Sequence, residues 1–216
     1  MSKPIKREFG SREIPQWVTA PGGEDFVDIK YQMGDGIAKI TINRPQAKNA
    51  VNRSVAEGVA AALDRLDNDE ALRVGIVTGA GGTFCAGMDL KAFVSGEFPA
   101  VEGRGFGGMT ERSADKPLIA AVEGYALAGG CELAIACDLI VAADNAKFGI
   151  PEVKRGLVAA AGGLVRLPSQ IPYRVAMELA LTGEFMGADR AMAMDARCPE
   201  TEKMGTVVLA SKGDVA

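Results

Sequence analysis

The stretch GYALAGGCELAIACD, residues 124–138, limits what this chain can fold into more than any other part of it. It follows an apolar run, residues 117–122, that is short, bounded by Pro and Gly and without a helical stripe, so it reads as a buried strand. Gly129 and Gly130 then stand at a strand-to-helix turn, and a continuous helical pattern runs on to Cys137. Glycines at such a turn let a ligand come close to the backbone. The first N–H groups of a helix have no partner within it, and the helix dipole adds positive potential at that end. The turn is therefore suited to receive negative charge. One turn further, Glu132 puts a carboxylate among Leu133, Ala134, Ile135 and Ala136, which is unfavourable unless the acid has a function or a partner.

The chemistry open to that helix is narrowed by what the chain lacks. There is no histidine among its 216 residues, which removes His-based triads, His-ligated zinc and His general bases together. Asp, Glu, Lys, Tyr and Cys remain. With 48% hydrophobic and 24% charged residues, the chain suits one soluble globular domain with a sizeable core. A net charge of −4 favours neither nucleic acid nor an anionic membrane as main partner. Cys85, Cys131, Cys137 and Cys198 form no C-x-x-C pair and read as reduced, mostly buried thiols of a cytoplasmic protein, with no metal site expected. No apolar run reaches the roughly 20 residues of a membrane span, and the start of the chain lacks a signal-peptide core.

Residues 1–24 are polar and without clear period, and read as a flexible extension in which Trp17 and Val18 dock on a neighbour. Strands are expected over 26–31 and 37–43, joined by a hairpin turn at Gly34-Asp35-Gly36. Ser54 with Glu57 three residues later reads as a capping box, opening an amphipathic helix to about Asn68 with Val55, Val59, Ala62, Leu63 and Leu66 as its stripe. A buried strand over 73–78 runs into a glycine turn and FCAGMDL at 84–90. The glycine-rich residues 96–109 are expected to be a mobile loop beside a pocket. A strand over 139–142 and an extended segment over 146–152 follow, because Pro151 biases Ile150 away from helix. Helices are expected over 162–167, over 173–181 and from Ala188. Alternating strands and helices imply an α/β domain with parallel pairing.

The unit of strand, glycine turn and helix occurs twice, after Val77 and after Val122. Two such turns can aim two backbone N–H groups at one point, which is what an oxyanion hole requires. Equally, they are the ordinary joints of an α/β protein. Glu132 and Glu152 are isolated acids in apolar settings. Each by itself is also compatible with a paired or exposed carboxylate. Facing one oxyanion hole together, they give a protein without histidine its acid and its base, with burial raising their pKa values.

Several ordered blocks carry a family resemblance: INRP at 42–45 with Asn49-Ala50, TGAG at 78–81, FCAGMDL at 84–90, and Lys116-Pro117. The stretch from Gly124 to Ala134, Cys137-Asp138, Phe148-Gly149 and PEVKRGL at 151–157 complete the set. From Phe26 to about Arg190 the chain resembles the crotonase superfamily of enoyl-CoA hydratases and isomerases. The resemblance implies a crotonase-like spiral of repeated β-β-α units, an acyl-coenzyme A thioester as substrate, no separate cofactor, and a homo-oligomer, trimer or hexamer. It places the oxyanion-hole donors on the N–H groups of Met88 and Gly129, and the two acids on Glu132 and Glu152. The substrate path falls on Lys48, Ala50, Ala86, Asp89 and Leu90, with Gly130 beside the oxyanion turn; Lys48 is equally readable as a solvated lysine. Hydration of an α,β-unsaturated thioester then assigns Glu132 to activate water and Glu152 to protonate C2. Having both acids favours hydration or dehydration over the isomerase reading, and a weakly active acyl-CoA-binding protein is the third possibility.

Three departures from the family pattern stand out. Ala128 replaces a common third glycine and is expected to narrow the turn. Glu123 replaces a common Asn before Gly124, as a turn residue or as an extra charge near the acids. After about Arg190 the likeness stops, and residues 191–216 read as an atypical tail behind a core domain of 25–190. A truncated or frame-altered C-terminus is the expectation, with an open acyl pocket, apolar surface exposed on the preceding helices, and an assembly weakened, rearranged or prevented by the altered tail.

Overall fold

A computed structural model of the protein describes residues 26–195 and 207–210. The extension expected over 1–24 with Trp17 and Val18, Cys198, and most of the tail expected over 191–216 lie outside the described residues.

The hairpin expected near the start is present as β1 (Ile29–Gly34) and β2 (Ile37–Ile42), paired antiparallel. Asp35 and Gly36 both take positive φ, 53° and 80°, the conformation that a two-residue turn matching the strand twist demands. Helix α1 (Arg53–Asn68) follows, but its cap is Asn52 rather than Ser54. Asn52 has extended backbone angles (φ −106°, ψ −175°), and its Oδ1 accepts from the Val55 N–H at 3.0 Å. Only the residue just before the first turn has that geometry. Ser54 already lies inside the helix, and Glu57 pairs with Arg53 at 2.7 Å instead of reaching back. Val55, Val59, Leu63 and Leu66 are buried as the stripe implies. Each contributes roughly 1.5–3 kcal/mol relative to exposure.

The remaining elements are β3 (Val74–Gly79), α2 (Leu90–Val94), β4 (Ala100–Val101), β5 (Gly105–Phe106), β6 (Leu118–Val122), β7 (Tyr125–Leu127) and α3 (Gly129–Ala136). They are followed by β8 (Leu139–Ala143), β9 (Lys147–Gly149), α4 (Gly163–Gln170), α5 (Tyr173–Thr182), β10 (Met186–Gly187), α6 (Ala188–Asp195) and β11 (Val207–Ala210). The main sheet has the order β1-β2-β3-β6-β8-β11, parallel throughout except for β1. A second sheet, β10-β9-β7, pairs β7 with β9 in parallel. β11 comes from the expected tail and pairs with β8 as the sixth strand of the main sheet.

Two further expectations need correction. Residues 96–109 are folded, not a loose loop. β4 and β5 form a small antiparallel hairpin, and Gly105, Gly107, Gly108 and Met109 are buried. Gly108 lies so close to α1 that a β-carbon there would run into the Ala56 carbonyl oxygen. Arg104, itself buried, forms an ion pair with Asp64 of α1. Glycine is dense here because backbone packs on backbone. Likewise the extended segment ends at Gly149, and Pro151 opens a 3-10 turn, Pro151–Arg155, that carries Glu152. Proline's fixed φ suits the first position of such a turn, where its missing N–H leaves nothing unpaired.

Candidate active site

A single passage, residues 84–89, runs between β7 and residues 48–51 and carries most of the expected substrate path. On one side Cys85 lies beside β7: its N–H donates to the Tyr125 carbonyl at 2.8 Å, and its own carbonyl accepts from the Leu127 N–H at 3.0 Å. On the other side Ala86 donates to the Lys48 carbonyl at 3.0 Å, and Val51 donates to that of Gly87 at 2.8 Å. Asp89 in turn donates to the Val51 carbonyl at 2.8 Å. Lys48, Ala50, Ala86, Met88 and Asp89 are thereby neighbours along one strip, and Leu90 ends it with 43% of its surface exposed. Lys48 places Nζ 5.8 Å from the centre of the Tyr125 ring.

The strip is held from behind. Buried Asn49 donates to the carbonyls of Ala80 (2.8 Å) and Thr83 (2.6 Å) and accepts from the Arg44 N–H. Arg44 reaches the Ala50 carbonyl at 2.6 Å and the Asp89 carboxylate at 3.0 Å. Asp89 also caps α2, accepting from the N–H groups of Lys91 and Ala92. Burial works to raise its pKa, but the Ala92 N–H and Arg44 outweigh it and hold the carboxyl below its usual range. Its side chain is committed to the fold, so any part Asp89 plays toward a ligand belongs to its backbone.

The Gly87–Met88 turn meets the start of α3. A β-carbon on Gly87 (φ 104°) would stand 2.8 Å from Ala128 Cβ, 3.1 Å from the Leu127 carbonyl oxygen and 3.3 Å from the Gly129 nitrogen. Ala128 has no side chain to cap α3 and sits at φ 52°, ψ −128°, a region that side chains other than hydrogen rarely occupy. Its methyl stands on the Gly87 side of the turn. The backbone hydrogen bonds among the described residues take up neither the Met88 N–H nor that of Gly129. Phe106, from β5, lies directly over Gly129, whose β-carbon would meet the ring at 2.5 Å.

Both acids are carried by elements that join this turn: Glu132 lies in the first turn of α3, and the Ala128 N–H donates to the Gly149 carbonyl, three residues before Glu152. Glu132, 3% exposed, accepts a hydrogen bond from the Gly163 N–H at 2.8 Å. Burial pushes its pKa up to about 7, with Glu152 pushing the same way; the N–H groups of Gly163 and Ala161 and the Arg166 guanidinium oppose the rise. Glu152 is half-buried, and its Oε2 is buried without a hydrogen-bond partner among the described residues. Burial raises its pKa as well. Burial and the neighbouring Glu152 carboxylate together favour the protonated form of Glu132. Cys131, Cys85 and Cys137 are buried free thiols, each pushed up to about 12 by burial, and stay protonated. Among the described residues no cluster of His, Cys, Asp or Glu suits a metal ion.

Residues 32–210 match the family model described as enoyl-CoA hydratase/isomerase. The chain belongs to the enoyl-CoA hydratase/isomerase family. Among solved structures of that family, an enoyl-CoA hydratase from Mycobacterium tuberculosis H37Rv is 60% identical with a TM-score of 0.80, over 87% of this chain and 71% of the other. A carnitinyl-CoA dehydratase from Mycobacterium avium 104 is 44% identical, also with a TM-score of 0.80, over 87% and 72%. The carnitinyl-CoA dehydratase of Escherichia coli K12 is 46% identical over 160 residues, 72% of this chain and 61% of that relative. The chain thus spans about 61% of the length of the curated relatives it matches. The α/β architecture is that of the crotonase superfamily, as the motifs imply.

Within that family fold, the structure brings Met88, Gly129, Gly130, Glu132 and Glu152 into one region with the strip from Lys48 to Leu90. Glu123 lies at the edge, its Oε1 3.7 Å from where a Gly82 β-carbon would stand, and its carbonyl accepts from the Phe84 N–H. Sequence reasoning missed Phe106, Gly163 and Arg166. The signal for Gly163 was present in the adjacent pair Gly162-Gly163, where a helical pattern begins on two poor helix formers.

Proposed function

We propose that the protein is an enoyl-CoA hydratase-type lyase, adding water to, or removing it from, an α,β-unsaturated acyl-CoA thioester. One observation carries the reading: two neighbouring carboxyls, Glu132 with its pKa pushed up to about 7 and Glu152 raised by burial, lie close to a helix start whose first N–H is not taken up by a backbone hydrogen bond among the described residues. The hydratase and dehydratase names of the relatives support it, since both reactions pass through the same intermediate in opposite directions. In this reading the thioester oxygen sits at the N–H groups of Met88 and Gly129, which take the negative charge of an enolate; removing one such donor costs about 3 kcal/mol in the transition state. Glu132, ionised, draws a proton from water as it adds to C3. Glu152, protonated, delivers one to C2. Coenzyme A belongs to the substrate, and no further cofactor enters.

A cytoplasmic homo-oligomer, trimer or hexamer, is part of the same proposal. Exposed Val158, Val165, Tyr173 and Leu181, between 64% and 76% accessible, support association through the region of α4 and α5. No helix among the described residues is long and apolar enough to cross a membrane. Incubation with crotonyl-CoA tests the function: loss of the conjugated-enoyl absorbance is the expected result. Turnover of a 3-enoyl-CoA alone would instead make it an isomerase, and tight coenzyme A binding without either reaction a binding protein. Light scattering tests the assembly, with a monomer as the refuting result.

A further inference from the structure

Glu132 is not held by its own helix. Its carboxylate is gripped at the start of α4, where the Gly163 N–H donates to it at 2.8 Å and the Ala161 N–H also favours the charged form. The approach needs the absence of a side chain at 163, where a β-carbon would stand 3.0 Å from Glu132 Oε1. The same turn is fastened by Arg166, one helical turn on. Its guanidinium folds back over Gly162, which takes φ 107° and whose β-carbon would collide with Arg166 Nη1. Nη1 reaches the Ala161 carbonyl at 3.4 Å, and the Arg166 N–H donates to the Gly162 carbonyl at 2.8 Å. Nη2 extends to the Thr110 carbonyl at 2.5 Å. Thr110 is buried, and its N–H donates to the carbonyl of Phe106, the residue whose ring covers Gly129.

We propose that Arg166 is the positioning residue for Glu132: one guanidinium joins the 161–163 turn that grips the carboxylate to the segment lying over Gly129. The assignment goes beyond the proposed function and rests on it only for its kinetic consequence. Arg166 also supplies the positive charge facing Glu132. The other groups facing it are Glu152 from the 3-10 turn, which raises its pKa, and the protonated thiol of Cys131 on its own helix. Loss of Arg166 therefore loosens the grip and lets the carboxyl keep its proton to higher pH.

The test uses the full chain with side-chain carboxyl carbons of glutamate labelled, and the Glu132 signal assigned with Glu132→Gln. In Arg166→Met its titration midpoint should move up by less than about one pH unit, since the guanidinium is the smallest of the influences that set the Glu132 pKa. Arg166→Lys should recover most of the shift. The acid limb of kcat/KM for crotonyl-CoA should move with the midpoint in both variants. A midpoint unchanged in Arg166→Met overturns the proposal, whatever happens to the rate, because that is a structural arginine and nothing more. If Arg166→Met does not fold, Arg166→Gln is titrated under the same criterion. A parent protein that titrates as expected but leaves crotonyl-CoA intact sinks the proposed function and not this inference.

Discussion

The chain makes the same joint twice and finishes it in two ways. After β3 it turns through glycines into α2, and there Asp89 accepts from the N–H groups of Lys91 and Ala92 while Arg44 neutralises it. The positive end of that helix is satisfied from within. After β6 and β7 it turns through Ala128 into α3, and no side chain caps the helix. Its Glu132 sits in the first turn but points away to the Gly163 N–H rather than back to the cap. A helix start sealed by its own aspartate has its first N–H groups taken up, and one left unsealed keeps them open to a ligand. The glycines look alike in both joints; the neighbouring acid decides which is which.

Removing an acid should separate the two joints most sharply. At the open one, Glu132→Gln is expected to cut kcat/KM for crotonyl-CoA by about 10²–10⁴-fold, the range for a positioned acid or base, with binding of coenzyme A largely kept. A steady-state assay checks it, and full activity would take Glu132 out of the mechanism. Gly129→Ala comes next. Its methyl must displace the Phe106 ring, and the rate should fall by about 100-fold through a misplaced donor. Normal kinetics in that variant would show that the turn tolerates movement and holds no oxyanion.

The pH dependence runs in opposite senses for rate and stability. In the proposed mechanism Glu132 must be ionised to activate water, so kcat/KM should rise with pH through about 7. For stability, the native protein keeps the Glu132 proton up to about 7, whereas the unfolded chain releases it in the ordinary carboxylate range. Stability contributed by the protonated form is therefore complete below that ordinary range. It is lost as pH rises toward about 7, and Glu152 pulls the same way. Urea titrations between pH 4 and 8 should show the decline, and Glu132→Gln should flatten it, making the inactive variant the more stable one near neutral pH.

At the sealed joint the effects are smaller. Asp89→Ala should cost about 1–2 kcal/mol, the value of a helix cap with its ion pair, measured by denaturant midpoint. A rate loss as large as that of Glu132→Gln would erase the contrast between the joints. Smallest of all, Ala128→Gly should stabilise by about 1 kcal/mol by relieving positive φ, a gain visible as a small rise in Tm. Destabilisation would mean that the turn is held open against its own preference.

Much of the fold was legible because its signals are local. The hairpin at Asp35-Gly36, the stripe of α1, the buried run of β6 and the start of α3 all follow from residues within a few positions of each other. β7 and β10 were not, since two or three residues carry no period. The glycine-rich 96–109 misled because the same composition suits loose chain and close packing; what distinguishes them is α1 and Leu133 standing against it, neighbours remote in sequence. The Asn52 cap shows the same limit on a smaller scale, for Asn52 and Ser54 differ only in backbone angle.

By itself the sequence determined that an acid would sit in an apolar helix behind a glycine turn, that a second acid would follow a proline, and that no histidine could replace them. Those are properties of residue type and short spacing. Only the tertiary structure decided that Gly87 packs against Gly129, that the Gly163 N–H grips Glu132, and that Arg166 spans from that grip to Thr110. Each joins residues some 30 to 56 positions apart, so no local pattern could encode it; the packing of the starts of α3 and α4 against segments remote in sequence did.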